Sequence, residues 1–236
     1  FPGEDTNMVQ VVITGANRGI GLALARAYAQ AGDQVLALCR TPERADALNA
    51  LARDSSGRVR VGQIDIADGA SIEAAAGLTG GPVDILINNA GVFGGMHQAL
   101  DDIDYAAWEE TLRTMVIGPF RVTRAFLPAL LKAAAPKVMF VSSQIASMVS
   151  PFAGYYIYAS AKAGGNRVAT SLATDLRERN VIIASVHPGY VKTDMGGPDA
   201  EIEPEESAAG IKAVIARLTL ADSGHFFKWN GDIHPW

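Results

Sequence analysis

The chain has 236 residues, of which 49% are hydrophobic and 19% are charged, and its 20 Lys and Arg against 25 Asp and Glu leave a net charge of −5. This composition excludes a disordered chain, which needs low hydrophobicity and a high net charge. It also lacks the basic surplus of a protein that binds nucleic acid through bulk charge. The length favours one large domain over two.

Short β-branched runs alternate with longer alanine-rich stretches along the sequence. The apolar runs predict strands over 9–13, 34–39, 58–62, 83–87, 137–142, 181–186 and 225–228. The stretches between them predict helices over 19–31, 42–53, 68–78, 105–133, 156–179 and 204–217. Because the strands are apolar on both faces and helices separate them, the pattern indicates an α/β fold, a doubly wound parallel sheet with helices on both faces.

Targeting signals and stabilising cross-links are not evident in the sequence. No apolar run approaches the roughly 20 residues of a membrane helix. The single cysteine, Cys39, can form no internal disulfide, so we expect a cytoplasmic protein without membrane or nucleic-acid partners. The first seven residues lack the basic start and apolar core of a signal peptide. Since Met8 directly precedes the first predicted strand, we expect residues 1–7 to be an addition or a disordered terminus and 8–236 to be one domain.

The 24 glycines make up about one residue in ten, against a usual rate of roughly 7%. Three of them lie in T-G-A-N-R-G-I-G over 14–21, directly after the first predicted strand. Glycines here allow a tight turn and the close approach of a pyrophosphate, and the free N–H groups of the following helix attract its charge. A turn that merely joins strand to helix would explain the glycines alone, but the position in a βαβ unit favours nucleotide binding.

The G-x-x-x-G-x-G spacing resembles the nucleotide signature of the short-chain dehydrogenase/reductase family, and four further motifs occur in that family's order. They are Asp65-Ile66 after the third strand, N-N-A-G over 88–91, Y-A-S-A-K over 158–162 and P-G-Y-V-K-T over 188–193. The resemblance covers about 8–236 and implies a Rossmann sheet of about seven strands in the order 3-2-1-4-5-6-7. The last eleven residues, together with G-Y-Y over 154–156, are similar to the compact C-factor/sniffer-like branch.

The resemblance also implies a nicotinamide dinucleotide as cofactor. The residues it assigns to cofactor contacts are Gly15, Asn17, Arg18, Gly19, Ile20, Gly21, Arg40, Asp65, Ile66, Asn89, Ala90, Gly91, Tyr158, Lys162, Pro188, Gly189, Val191 and Thr193. An NAD site places a carboxylate at the end of the second strand, but this strand ends in Cys39-Arg40. A single arginine at one of these positions is explained equally well as a phosphate ligand or as a solvated surface charge. Arg18 and Arg40 together, at the family's phosphate-reading positions, favour NADP(H).

Tyr158 and Lys162 are four residues apart in a predicted helix and therefore share one face. A free tyrosine, with a pKa of about 10, is a poor acid near neutrality, and a nearby ammonium lowers that pKa. The resemblance implies that Tyr158 donates a proton to the carbonyl oxygen, that Lys162 tunes it and holds the nicotinamide ribose, and that a serine holds the substrate oxygen. Ser142 and Ser143 are both candidates, and Ser143 aligns better with the family's catalytic serine.

One position departs from the family's pattern. Many members carry an asparagine three residues before a glycine in the long fourth helix, where it relays protons through water, but this chain has Met115 there. Methionine is a poor hydrogen-bonding residue. Either the relay is completed differently or turnover is slow.

The substrate region is expected after the sixth strand, where the family carries a lid. Glycines and polar residues over 190–204 favour a mobile loop there. The candidates for an apolar substrate pocket are Phe93, Met148, Tyr155, Tyr190 and Met195. The four histidines, His97, His187, His225 and His234, lack metal-ligand spacing, so we predict no metal.

Three functions were weighed against these motifs. The first is an NADPH-dependent carbonyl reductase, or the reverse alcohol dehydrogenase, that acts on a small molecule and relies on Ser143, Tyr158 and Lys162. The second is a dinucleotide-binding regulatory or signalling protein with weak catalysis, which Met115 motivates. A methyltransferase is a poor third, because it leaves the Tyr158–Lys162 pair unexplained. By resemblance we also expect a homodimer or homotetramer formed through the helices at 105–133 and 156–179.

Overall fold

A seven-stranded parallel sheet lies at the centre of the fold. The computed structural model describes residues 8–149 and 152–236. The first seven residues, for which an addition or a disordered terminus is predicted, lie outside the described residues. The strands of the sheet are β1 Gln10–Thr14, β2 Gln34–Cys39, β3 Val59–Gln63, β4 Ile85–Asn88, β5 Lys137–Val141, β6 Ile182–His187 and β7 Phe226–Lys228.

The strand order is β3-β2-β1-β4-β5-β6-β7, and every neighbouring pair is parallel. This confirms the predicted fold class and strand order. The chain runs outward in one direction through β1 to β3 and then returns to β4 on the other side of β1. At such a reversal the loops after the two strands diverge and leave a crevice beyond their carboxyl ends.

The described residues form seven α-helices, of which six pack on the two faces of the sheet. The seven are α1 Gly19–Gln30, α2 Asp46–Asp54, α3 Gly69–Ala76, α4 Tyr105–Leu112, α5 Gly118–Leu130, α6 Tyr156–Asp175 and α7 Pro204–Arg217. Helices α1, α2 and α7 pack with one face of the sheet, and α3, α5 and α6 pack with the other. In β1, Val11 and Ile13 belong to the first core and Val12 to the second, which is why three successive positions of the strand are apolar.

The predicted helix over 105–133 is interrupted in its middle. A π-helical turn, Arg113–Ile117, joins α4 to α5, and the amide of Gly118 donates to the carbonyl of Arg113. The physical reason is Pro119, which has no N–H to donate to the carbonyl of Met115. Turns of this kind are frequently found at functional sites.

Two other predicted helices are also divided. The segment over 42–53 starts as a 3₁₀ turn, Pro42–Arg44, because Ala45 leaves the helical region before α2 begins. The segment over 156–179 ends its α-helix at Asp175 and continues as a 3₁₀ turn, Arg177–Arg179. A short antiparallel hairpin of Gln98–Ala99 with Asp102–Ile103 was not predicted, since two-residue strands leave no periodic pattern.

Within the described residues, none of the helices is both long and apolar enough to cross a membrane.

The core beneath α5 gives a test of the packing. Phe126 is fully buried, whereas Phe120 on the same helix is 41% exposed. We expect Phe126→Ala to lower the free energy of unfolding by about 3–5 kcal/mol, because it leaves a cavity. Phe120→Ala, the matched control, is expected to cost less than about 1 kcal/mol. Urea denaturation measures both, and equal losses would contradict the placement of Phe126 in the core.

Candidate active site

A cleft of about 900 Å³ lies beyond the carboxyl ends of the strands, at the reversal between β1 and β4. Every residue that the sequence assigns to cofactor contacts lines it, from Gly15 in the glycine loop to Thr193 after β6. Ser143 lines it as well. The fold therefore brings motifs that are up to 178 positions apart (193 − 15) to one surface.

The glycine loop between β1 and α1 has a backbone that only glycine adopts easily. Gly15 and Gly19 have φ values of +68° and +52°. A Cβ on Gly21 would lie 2.2 Å from the carbonyl oxygen of Gly15, so a side chain there would push the loop apart. The first residue of α1 follows Arg18, whose side chain does not cap the helix. The N–H groups of this first turn are therefore available to an anion in the cleft.

The loop is held to β4 by Thr14 and Asn89. The Asn89 side-chain amide donates to the carbonyl oxygens of Thr14 (3.0 Å) and Gly15 (3.1 Å). The Thr14 hydroxyl accepts from the backbone amides of Asn89 and Ala90, both at 3.1 Å. The side-chain amide of Asn89 thus stabilises the shape of the cleft. The role of Thr14 was missed, because only the tertiary structure places it opposite Asn89.

Three arginines lie at one end of the cleft. Arg40 and Arg44 line it after β2, and Arg18 lines it from the glycine loop. The guanidinium of Arg18 forms an ion pair with Asp194, and both side chains are largely exposed. An exposed pair of this kind contributes about 0–1 kcal/mol, so a phosphate can compete for Arg18. Arg44 was missed by the sequence reasoning, although a third arginine four positions after Arg40 was a signal for it.

Ser143 and Tyr158 meet at the other end of the cleft. The Ser143 hydroxyl lies beside the Tyr158 phenol and favours its ionised form, but burial dominates and raises the pKa of Tyr158 to about 12. The Ser142 hydroxyl is buried and has no hydrogen-bond partner in the described part of the chain. Of the two candidate serines, Ser143 is therefore the one in contact with Tyr158.

Lys162 lies one helical turn beyond Tyr158 on α6. Its ammonium donates to the carbonyl oxygen of Val141 (2.8 Å) and lies 5.7 Å from the centre of the Tyr158 ring. Burial lowers the pKa of Lys162 to about 8. The sequence argument expected the ammonium to lower the pKa of Tyr158, but burial of the phenol outweighs that effect here. At neutral pH the tyrosine is protonated, which is the form a proton donor needs.

Gln98, in the unpredicted hairpin, fixes the backbone beside Tyr158. Its side-chain oxygen accepts from the amide of Tyr158 (2.9 Å), and its side-chain nitrogen donates to the carbonyls of Phe93 (2.9 Å) and Gly95 (2.8 Å). Gln98 is buried. It therefore ties the loop after β4 to the first turn of α6, a contact that no local pattern in the sequence reveals.

The five candidate substrate residues do not all reach the cleft. Phe93, Tyr190 and Met195 line it, and the Phe93 ring lies 5.3 Å from the Tyr158 ring. Met148 and Tyr155 are not among its lining residues, and Met148 is 83% exposed. The Tyr155 ring packs against Phe93, which lines the cleft, at 6.1 Å between ring centres.

The segment over 190–204 lines the cleft with residues 190–196 and is closed on itself. Val191 and Ile202 form a bridge, and the amide of Lys192 donates to the carbonyl of Ile202 (2.9 Å). The Lys192 ammonium pairs with Glu203 at 2.6 Å. The two ends of the segment are thus held together.

Comparison with known proteins agrees with this site. Residues 9–203 match the family model described as short chain dehydrogenase. The chain belongs to the short chain dehydrogenase family. It is 43% identical to C-signal of Myxococcus xanthus over 157 residues, which are 66% of this chain and 94% of that protein. It is 30% identical to an uncharacterized oxidoreductase of Schizosaccharomyces pombe, over 95% of this chain and 96% of that protein.

Solved structures of similar proteins superpose on the whole described fold. The NADPH-bound carbonyl reductase from chicken fatty liver has a TM-score of 0.90 and 31% identity, with 97% of this chain and 99% of that one covered. The carbonyl reductase Sniffer of Drosophila melanogaster has a TM-score of 0.90 and 27% identity, with 98% and 100% covered. These likenesses confirm an oxidoreductase of this family, similar to the C-factor/sniffer-like branch.

This short chain dehydrogenase has a buried methionine, Met115, at the position where the family resemblance implied a relay asparagine. Met115 lies in the π-helical turn, and a Cβ on Gly91 would be 3.2 Å from its sulfur and 3.7 Å from the Lys162 ammonium. The thioether therefore lies close to Lys162 and gives it no strong hydrogen bond. Among the residues that the structure describes, no group of three or more His, Cys, Asp or Glu is placed to hold a metal ion.

The buried ammonium of Lys162 makes the stability of the protein depend on pH. Its pKa is about 8 in the folded chain and 10.5 ordinarily, so between these values the unfolded chain binds more protons and stability rises with pH. We expect Lys162→Met to raise the free energy of unfolding at pH 7, and this gain to shrink as the pH rises from about 8 to 10.5.

Urea denaturation at several pH values measures this difference. The control is Lys132→Met, which removes an exposed lysine. A Lys162→Met variant that is less stable than the wild type at pH 7 would show that the ammonium is not penalised by burial.

Proposed function

We propose that this chain is an NADPH-dependent reductase that converts a small carbonyl compound to the alcohol, or catalyses the reverse oxidation. The observation that carries this proposal is the convergence of Ser143, Tyr158 and Lys162 at one end of a cleft whose other end holds the glycine loop and three arginines. Solved carbonyl reductases similar to this chain include two described as bound to NADPH or NADP.

The residues of the cleft fit a nicotinamide dinucleotide phosphate. A Cβ at Gly15 would lie 2.8 Å from the Cα of Ala90, so the ends of these two strands approach each other this closely only because glycine stands there. The free N–H groups at the start of α1 suit its charge. Arg40 and Arg44, with Arg18 nearby, would hold the 2′-phosphate. When bound, the cofactor supplies the hydride of the reaction.

The chain's own side chains orient the carbonyl group and supply a proton. The Ser143 hydroxyl and the Tyr158 phenol, which lie side by side, would both bind the substrate oxygen. Tyr158, protonated at neutral pH, donates its proton to that oxygen as the alcohol forms. The Lys162 ammonium would stabilise the phenolate that remains and hold the nicotinamide ribose. Phe93, Tyr190 and Met195 exclude water around the reacting group.

A regulatory protein with weak catalysis is less well supported. Such a protein would need the dinucleotide cleft alone, whereas Ser143, Tyr158 and Lys162 are all present and in contact or near contact. We further propose that residues 8–236 act as one NADP-binding domain and that 190–204 serves as its substrate lid. The homodimer or homotetramer and the cytoplasmic location stay predictions.

Tyr158→Phe tests the proton donor. With NADPH and a panel of aldehydes and ketones, we expect kcat to fall about 10²–10⁴-fold, the usual contribution of a general acid. Tyr156→Phe is the matched control, because this tyrosine lies in the same helical turn with its side chain partly exposed, and we expect its rate to stay near the wild type. An unchanged rate in Tyr158→Phe would refute the assigned role.

The preference for NADPH depends on the arginines after β2. We expect the double variant Arg40→Ser/Arg44→Ser to raise the KM for NADPH about tenfold or more and to leave the KM for NADH nearly unchanged, because NADH has no 2′-phosphate. Arg53→Ser, on the exposed surface of α2, is the control. Equal KM values for NADPH and NADH in the wild type would remove the argument.

A further inference from the structure

A second, much smaller cavity lies behind the catalytic lysine. Its volume is about 20 Å³, which is enough for one water molecule. Lys162, Ser142 and Val141 line both this cavity and the large cleft, so they form the wall between the two. Whatever occupies the small cavity therefore lies against Lys162 and Ser142.

Two buried polar side chains face this cavity without a partner. Asn166 is only 4% exposed, and neither its carboxamide oxygen nor its nitrogen has a hydrogen bond in the described part of the chain. The Ser142 side chain is 5% exposed, and its hydroxyl also has no hydrogen bond in the described part of the chain. A buried amide left without hydrogen bonds is costly, and native structures satisfy such groups with protein or with ordered water.

The other residues around the cavity offer few hydrogen-bonding groups to Asn166 and Ser142, so water is their remaining partner. Met115, Pro119 and Phe140 line the same cavity and have no strong hydrogen-bonding group in their side chains. Asn88 also lines it, but its side-chain nitrogen already donates to the Thr123 hydroxyl at 3.1 Å. The cavity is thus polar on one side, large enough for a water and supplied with the several polar groups that a buried water requires.

Lys162 is the third polar side chain that can bind a water in this cavity. Asn166 follows it by four residues on α6, so both side chains leave the same face of the helix. An ammonium has three N–H donors, and that of Lys162 uses one on the carbonyl oxygen of Val141. At least one further donor is therefore available to a water in the cavity.

We propose that Asn166 and Ser142 hold a buried water against the ammonium of Lys162, and that Asn166 is a positioning residue which supplies the hydrogen bonding that Met115 lacks. The proposal rests on the role given to Lys162 in the proposed function. The water solvates a charge that the protein otherwise buries, and so keeps Lys162 protonated beside Tyr158. The chain thus restores polar support for the lysine from α6.

The direct test is the titration of Lys162 in the protein without cofactor. Isotope-labelled lysine is followed by NMR, and the Lys162 signal is identified by its loss in Lys162→Arg. Leucine is close in size to asparagine and has no polar atom. We therefore expect Asn166→Leu to lower the pKa of Lys162 by about one pH unit, because a hydrogen bond to a charged group is lost. Asn166→Asp is expected to raise it, because a carboxylate favours the ammonium.

Two serines give a matched pair for the same measurement. Ser142→Ala removes a hydroxyl that faces the cavity, whereas Ser185→Ala removes an equally buried and unpartnered hydroxyl on β6 that does not line it. We expect a lower pKa of Lys162 in the first variant and an unchanged one in the second. If Asn166→Leu does not fold, the two serine variants test the proposal instead. Equal pKa values of Lys162 in Ser142→Ala and Ser185→Ala would overturn it.

Kinetics provide a second readout. For Asn166→Leu we expect kcat at pH 8 to fall several-fold, the alkaline limb of its pH profile to move to lower pH with the pKa of Lys162, and the KM for NADPH to stay the same. A folded Asn166→Leu with the wild-type pKa and pH profile would also overturn the proposal. Absence of any carbonyl reduction by the wild type would refute the proposed function instead, and the titration would still decide whether the water is there.

Discussion

Four hydrogen bonds join the end of β1 to the end of β4, and the rest of the site depends on them. They link Thr14 and Gly15 to Asn89 and Ala90. Strands β1 and β4 are the two between which the sheet order reverses. The glycine loop leaves on one side of this joint and the loop toward Phe93 on the other. Because these hydrogen bonds involve both side chains and backbone, they hold the two strand ends at a fixed separation, and this separation sets the width of the cleft.

The chemistry of the site follows from burial more than from attraction between charges. Burial raises the pKa of Tyr158 and lowers that of Lys162, so both groups are pushed toward their neutral forms. For the tyrosine this retains the phenol proton. For the lysine it weakens the positive charge. The side chains of Asn166 and Ser142, which line the small cavity behind Lys162 and have no partner among the described residues, are the polar groups that we propose oppose that weakening.

Sequence reasoning succeeded where a residue's role is local. Most strands are visible because residues on both of their faces are buried, and the glycine loop is visible because backbone geometry excludes side chains at Gly15 and Gly21. It failed where a role depends on a distant partner. Gln98 contacts Tyr158 across 60 positions, and Met148, close to Tyr158 in sequence, stays outside the cleft. The π-helical turn was missed because a proline was counted as part of a continuous helix.

The sequence by itself determined the doubly wound sheet, the dinucleotide loop and the Tyr158–Lys162 pair, since each follows from periodicity or from spacing along one element. Only the tertiary structure decided between Ser142 and Ser143, because both end the same strand and only one side chain meets Tyr158. It also decided which way burial moves the two catalytic pKa values. Desolvation is a property of everything packed around a group, and that surrounding is assembled from all parts of the chain.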